Sequence, residues 1–269
     1  MDIPKIKKIP KVIHQIWYQG KNVISKKMQD DSNKIKNIHP DWKYMIWDDD
    51  TIKQYFNNNK NILDTYNKLE HLHQKVDFIR YCILYEIGGI YVDMDVTILK
   101  PFDEIVELYG DYECILSDIN LNMIESYALC NNKKCINNGI IISQPKSNFM
   151  LDLINTIHKN NTCLYYDLNK SMCINRVTGP LLFTKIYNNY KDKQKIKILN
   201  WSYFEPCILN DLCDIKDNTI LIHHHNTTWI NQIFTMAGYY YFKYKLVFYL
   251  LLIIILMKLI HYIISYIKK

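Results

Sequence analysis

Residues 75–101, KVDFIRYCILYEIGGIYVDMDVTILKP, constrain this chain more than any other stretch. In the first half, Val76, Ile79, Ile83 and Ile87 recur at helical spacing, a stripe that a helix buries. Asp77, Arg80, Tyr81 and Leu84 form a neighbouring stripe, so Asp77 and Arg80 point the same way. Gly88-Gly89 suits a helix C-cap, where the backbone needs positive φ. Residues 90–96 then alternate like a strand. That places Tyr91, Asp93 and Asp95 on one face and Ile90, Val92 and Met94 on the other.

Two carboxylates sharing one face repel each other and shift each other's titration. A divalent cation removes the conflict, and oxygen ligands suit Mg²⁺ or Mn²⁺. Such an ion can bridge to a diphosphate and neutralise the charge of a departing leaving group. An isolated Asp-x-Asp is common and reads as a solvated strand end. Here it follows a helix carrying Asp and Arg, a Gly-Gly break and an apolar strand, a far more specific context.

Asp77, Arg80, Tyr81, Leu84, Gly88, Gly89, Tyr91, Asp93 and Asp95 together resemble the signature of glycosyltransferase family 32, the sugar-nucleotide-dependent enzymes with a DXD motif. That family includes fungal α-mannosyltransferases and inositol phosphorylceramide mannosyltransferases, with the glucosylating domains of clostridial toxins as distant relatives. The resemblance extends to the opening segment, residues 9–17, where the family carries a Trp that stacks on the nucleotide base. Taken alone, Trp17 reads as core packing. The resemblance makes it a platform for uracil or guanine, with His14 and Gln15 structural. Residues 39–50 resemble a further family segment. They predict a strand over 43–47 and a helix capped by Asp48 or Asp49. Asn138, before the apolar run 139–143, is either a sugar-hydroxyl contact or part of an ordinary turn. Thr178-Gly179-Pro180 resembles the family's Thr-Gly-Pro, with Pro180 opening a helix.

Residues 220–229, ILIHHHNTTW, resemble the family's late His-His-x-x-x-Ser-Trp element. Counting back from Trp229 puts His224 at the metal-facing position and Thr227 within reach of phosphate, with Trp229 beside the nucleotide. The resemblance implies an α/β fold of the GT-A type, a nucleotide-diphosphosugar transferase. It also implies Mn²⁺ or Mg²⁺ held by Asp95, His224 and Asp93. A UDP- or GDP-sugar would be the donor, with Tyr91 and Asn138 beside it, and Asp77 and Arg80 would bind the sugar. Asp77, Arg80, Asp93 and Asp95 thus form the expected catalytic set. Transfer is expected to be retaining, to a glycan or glycolipid hydroxyl. The alternatives are a toxin-like protein glucosyltransferase and a catalytically dead, membrane-anchored sugar-binding protein.

The chain has 269 residues and a formal net charge of +6. Lysine carries almost all of the positive charge, because Arg80 and Arg176 are the only arginines. An arginine kept in a lysine-rich chain suggests a need for a planar, permanently charged fork. The basic excess fits anionic substrates or a membrane surface and is too diffuse for nucleic acid. Eight cysteines permit disulfides, but no secretory signal reads from the sequence, and reduced, partly buried thiols fit equally well. From Tyr239 the composition changes class. The apolar run 246–257 extends to 267 if Lys258 and His261 are tolerated. A catalytic domain over 1–235 and a single-pass C-terminal anchor over 239–267 are expected, with the domain in the cytosol. An interfacial helix is the alternative for the tail.

Overall fold

β1 (Val12–Ile16) begins where Ile9-Pro10 leads the chain into the core, and four of its five residues are buried. It belongs to a computed structural model that describes residues 8–20, 23–122, 125, 126, 130, 134–167, 169–207, 213–225 and 232–267. Two units make up the chain, Met1–Asn226 and Thr227–Lys269.

In the first unit, α1 (Lys26–Ile38) follows β1 and is capped by Ser25. β2 (Lys43–Trp47) covers the span read from sequence. Asp48 caps α2 (Asp49–Tyr55) in a reciprocal arrangement with Thr51, so Asp48 rather than Asp49 is the cap. α3 (Lys60–Lys68) and α4 (Leu72–Glu86) follow, and the polar break at 57–59 separates α2 from α3. β3 (Gly89–Val92), β4 (Val96–Ile98), α5 (Asp103–Tyr109), β5 (Cys114–Ser117) and β6 (Ile140–Ser143) come next. Then come α6 (Asn148–Lys159), α7 (Lys170–Val177) and α8 (Pro180–Asn189), with Pro180 at the first helical position as expected. β7 (Ile196–Leu199) and β8 (Leu221–His223) complete the unit.

Six strands form one sheet in the order β2-β1-β3-β6-β5-β7. β1 is parallel to both β2 and β3, whereas β6 runs antiparallel to its neighbours. α4 is not the one-sided helix that its apolar stripe suggests: residues 77–84 are all buried, because β3, α3, α6 and α7 enclose it. It ends as predicted. Gly88 and Gly89 have φ of +71° and +98°. A Cβ on Gly89 would sit 2.4 Å from the Val12 carbonyl, so only glycine lets β3 close on β1.

The expected strand over 90–96 is corrected. β3 stops at Val92 and β4 starts at Val96, pairing antiparallel with β8 in a separate two-stranded sheet. Asp93–Asp95 is therefore the turn between two sheets. Long-range pairing with β8 outweighs the local alternation that predicts one continuous strand. A helix, α5, follows β4 over residues 103–109.

His14 is buried between strands and fixed from both sides. Its Nε2–H donates to the Gly88 carbonyl at 2.9 Å, and its Nδ1 accepts from Trp47 Nε1–H at 3.2 Å. Burial lowers its pKa to about 4, with nearby Lys43 acting in the same direction. The ring is thus neutral when folded and free to protonate when unfolded. Stability should be full above about pH 6.5 and fall as pH drops through 4, a loss on the order of 3 kcal/mol. Chemical denaturation of wild type and His14→Gln between pH 4 and 7 checks this: the acid limb should flatten in the variant.

Three disulfides are present, Cys130–Cys135, Cys163–Cys173 and Cys207–Cys213, while Cys82 and Cys114 are buried and free. The second unit contains α9 (Gln232–Ile267), interrupted at Tyr244, whose backbone leaves the helical region. Within it, Lys243–Tyr266 is 24 residues long and apolar enough to cross a membrane, and none of it is buried. At 1.5 Å per residue it extends about 36 Å, against roughly 30 Å of bilayer hydrocarbon.

Candidate active site

The β1 and β3 strands run parallel with Ile13 opposite Ile90, so Trp17 and Asp93 leave the C-terminal ends of adjacent strands. That edge is where open α/β sheets bind ligands. Asp93 is positioned from several sides. Its backbone N–H donates to the Gly139 carbonyl at 3.0 Å, and its carbonyl accepts from Gln15 Nε2 at 3.0 Å. Gln15 is held in turn by the hydroxyls of Ser32 and Tyr44.

The Asp93 carboxylate accepts from the Tyr91 hydroxyl at 2.6 Å and lies 3.3 Å from an Arg80 guanidinium nitrogen. Arg80 also pairs with Asp77 at 3.0 Å and donates to the Asn138 carbonyl at 2.7 Å. Its guanidinium stacks over the Tyr91 ring, 4.4 Å from the centroid. The two Asp77 oxygens accept from Asn138 Nδ2 (3.1 Å) and Thr178 Oγ1 (3.0 Å). Asn138 Nδ2 also donates to the Tyr81 hydroxyl at 2.8 Å, and Tyr81 donates to the Thr178 carbonyl.

This is a closed polar network, and its burial sets its charges. Burial pushes the Asp77 carboxyl up to about 6, although Arg80, Thr178 and Asn138 favour the charged form. Burial opposes the charge on Arg80, but Asp93, Tyr91 and Asp77 outweigh it and hold the guanidinium above its ordinary value. The guanidinium expected at Arg80 engages through both terminal nitrogens, Nη2 with Asp77 and Nη1 with Asp93 and the Asn138 carbonyl. Arg176 has a comparable fork, two nitrogens on Asp167 at 2.9 and 2.5 Å.

The network also revises individual sequence readings. Asn138 spends its side chain on Asp77 and Tyr81, so it is a support rather than a free sugar contact. Tyr91 is 1% exposed, with its hydroxyl committed to Asp93, so it too stands behind the site. Asp77 and Arg80 keep under a tenth of their side chains exposed and are engaged with each other, and Arg80 also pairs with Asp93.

Beyond the turn, β8 brings a histidine to the carboxylates. With Val96 opposite His223, the His223 ring faces back past β4. Its Nε2 lies 3.4 Å from Asp95 Oδ1 and 3.7 Å from Asp93 Oδ2. His224, the residue expected there, is directed elsewhere. Its backbone N–H donates to the Asp95 carbonyl at 2.9 Å, and its Nε2 meets Thr97 Oγ1 at 2.9 Å. The pairing of β8 with β4 sets the register here, and a one-residue slip reverses the face. Thr227 and Trp229 lie outside the described residues.

One ligand atom each from Asp93, Asp95 and His223 fall within 4.8 Å of one another. The Asp93 and Asp95 side chains are 25% and 15% exposed, so the cluster opens toward solvent on one side. Two carboxylates and an imidazole with an open side fit Mn²⁺ or Mg²⁺. Gly139 matters here and was not singled out from sequence. A Cβ on it would lie 2.7 Å from both Asp93 Oδ2 and His223 Cε1. Trp17 is half-buried, and its buried Nε1–H has no hydrogen-bond partner among the described residues.

The chain is similar to known proteins over much of its length. Residues 25–110 match the family described as the glycosyltransferase sugar-binding region containing a DXD motif. An uncharacterized glycosyltransferase of Acanthamoeba polyphaga mimivirus is 30% identical over 229 residues, 82% of this chain and 84% of its own. A mannosyl phosphorylinositol ceramide synthase of Saccharomyces cerevisiae is 28% identical over 189 residues, 68% of this chain and 43% of that protein. Inositol phosphoceramide mannosyltransferase 1 of Schizosaccharomyces pombe is 34% identical over 106 residues, 38% of this chain and 33% of its own. The chain thus spans less than half the length of these two fungal relatives. Among solved structures, the PaToxG glycosyltransferase aligns with a TM-score of 0.49 and 18% identity, covering 70% of this chain and 73% of that one. With an α/β fold and the motif at the C-terminal edge of its sheet, the chain belongs to the glycosyltransferases whose sugar-binding region contains a DXD motif.

Proposed function

We propose that this protein transfers a hexose from a nucleoside diphosphate to the hydroxyl of a lipid or glycan. The observation that carries the proposal is the Asp93–Asp95–His223 cluster at the C-terminal edge of the sheet. These three residues would hold Mn²⁺ or Mg²⁺. Bound there, the ion would neutralise the diphosphate as it leaves. Tyr91, Arg80 and Gln15 fix Asp93 so that its carboxylate needs no reorganisation. Arg80 and Asp77 present a rigid wall to the donor sugar, acting mainly through Asp93. Trp17 would stack on the base.

Mannose is the favoured sugar, because one fungal relative is named an inositol phosphoceramide mannosyltransferase and another a mannosyl phosphorylinositol ceramide synthase. A lipid acceptor suits the apolar span Lys243–Tyr266, which would anchor the protein to a membrane. Three disulfides favour an oxidising side of that membrane over the cytosolic side expected from sequence. Retention of anomeric configuration is part of the same proposal and rests on the family resemblance.

The test uses the full chain in detergent with GDP-mannose, UDP-glucose and UDP-galactose, measuring release of nucleoside diphosphate with and without acceptor. One donor should turn over with Mn²⁺, stop in chelator and recover when Mn²⁺ is restored. Undiminished turnover in chelator would contradict the assignment of the cluster.

A further inference from the structure

Glu205 is a carboxylate that donor chemistry does not require, and it is 2% exposed. Burying a charge is costly unless partners compensate, and a buried ion pair is weak support for a fold. Its partners are two histidines. The Glu205 Oε1 lies 3.0 Å from His223 Nδ1, and Oε2 lies 2.9 Å from His225 Nε2. The backbone is built to keep this contact. The Glu205 N–H donates to the Trp201 carbonyl at 2.7 Å, closing the turn before it. Two residues on, the Cys207 carbonyl accepts from His225 Nε2 at 3.1 Å, and Cys207 is cross-linked to Cys213. His225 takes a φ of +49°, a conformation that a non-glycine residue rarely adopts. The His223 and His225 rings lie 4.0 Å apart, centroid to centroid.

The direction of the His223 ring gives this its meaning. Nδ1 faces Glu205 and Nε2 faces Asp95 and Asp93. A hydrogen bond from Nδ1–H to Glu205 leaves the Nε2 lone pair as the atom aimed at the carboxylates. A histidine that ligates a metal commonly donates its other N–H to a carboxylate, which fixes ring orientation and raises ligand basicity.

We propose that Glu205 is a positioning residue for the cation site, setting the His223 tautomer and ring plane so that Nε2 completes the ligand set with Asp93 and Asp95. This rests on the cation reading of that cluster. It extends the site to residues 205–207, a segment whose sequence carries no motif.

The test is Mn²⁺ binding to the full-length protein, without donor or acceptor, by titration calorimetry with stoichiometry checked by electron paramagnetic resonance. Four proteins are compared: wild type, Glu205→Gln, Glu205→Ala and Glu113→Gln. Glutamine keeps an oxygen for His223 but not the charge, so affinity should fall about 10-fold, and alanine should lose about 100-fold, the span seen for outer-shell partners. Glu113 is a carboxylate tied to Ser147 and Tyr190 through separate hydrogen bonds, so Glu113→Gln should bind Mn²⁺ like wild type even if it melts lower. Wild-type affinity in Glu205→Gln would overturn the positioning role while leaving the cation site standing. Two ions per wild-type chain, with one lost in Glu205→Gln, would make Glu205 a ligand of a second ion and overturn the proposal as well. No binding to wild type would overturn both this proposal and the cation reading beneath it.

Discussion

His223→Ala is expected to lower metal-dependent donor turnover by more than 100-fold, while His224→Ala stays within about twofold of wild type. The two residues are sequence neighbours, but only His223 presents a ring nitrogen to both Asp95 and Asp93. In the proposed cation site, removing it leaves two carboxylates without the imidazole that completes the set. The loss should exceed the 10–100-fold typical of an outer-shell partner. His224 loses one hydrogen bond to Thr97, worth about 1 kcal/mol of stability, and its backbone bond to Asp95 survives the substitution. Steady-state release of nucleoside diphosphate at saturating and limiting Mn²⁺ checks both. The His223→Ala defect should shrink at high Mn²⁺ if weakened metal binding is its cause. Equal losses in the two variants would mean that the loop after β8 sits differently.

Gly139→Ala is expected to cost about 100-fold in turnover with a far smaller effect on folding. One methyl group placed there would come within 2.7 Å of both Asp93 Oδ2 and His223 Cε1. Neither neighbour can yield freely, since Tyr91 and Arg80 hold Asp93 and Glu205 holds His223. A displacement of about 1 Å at a reacting centre is enough for a 100-fold loss. The overpacking itself should destabilise by roughly 1–3 kcal/mol. Thermal unfolding measured beside kcat separates the two effects. The φ of Gly139 is not in the left-handed region, so backbone strain does not account for the expected loss.

Much of this could be read from sequence because it is local. The α4 helix, its Gly88-Gly89 stop, β2 and the cap at Asp48 each depend on residues within a few positions of each other. The pairing of Asp93 with Asp95 also survived, though for a different reason: the turn between two sheets brings them together, not a shared strand face. What could not be read depends on distant pairing. The sheet change at Asp93 is dictated by β8, well over a hundred residues later. The identity of the inward histidine depends on that same register, and a run of three histidines offers no sequence signal to choose among them. Counting from Leu221 along the strand, rather than back from Trp229, puts His223 on the same face as the buried Leu221. Glu205 stands alone in sequence and gains its place only by meeting two histidines in space. Asn138 and Tyr91 were singled out by motif as donor contacts. Their burial moves them behind the site, where they hold Asp77 and Asp93.

The most direct measurement is the anomalous scattering of Mn²⁺ in crystals of the full-length protein grown with a nucleoside diphosphate. A single peak should appear at ligand distance from Asp95, Asp93 and the Nε2 of His223, with the diphosphate on its open side. A peak on His224, or a diphosphate bound with no metal between Asp93 and Asp95, would contradict the account.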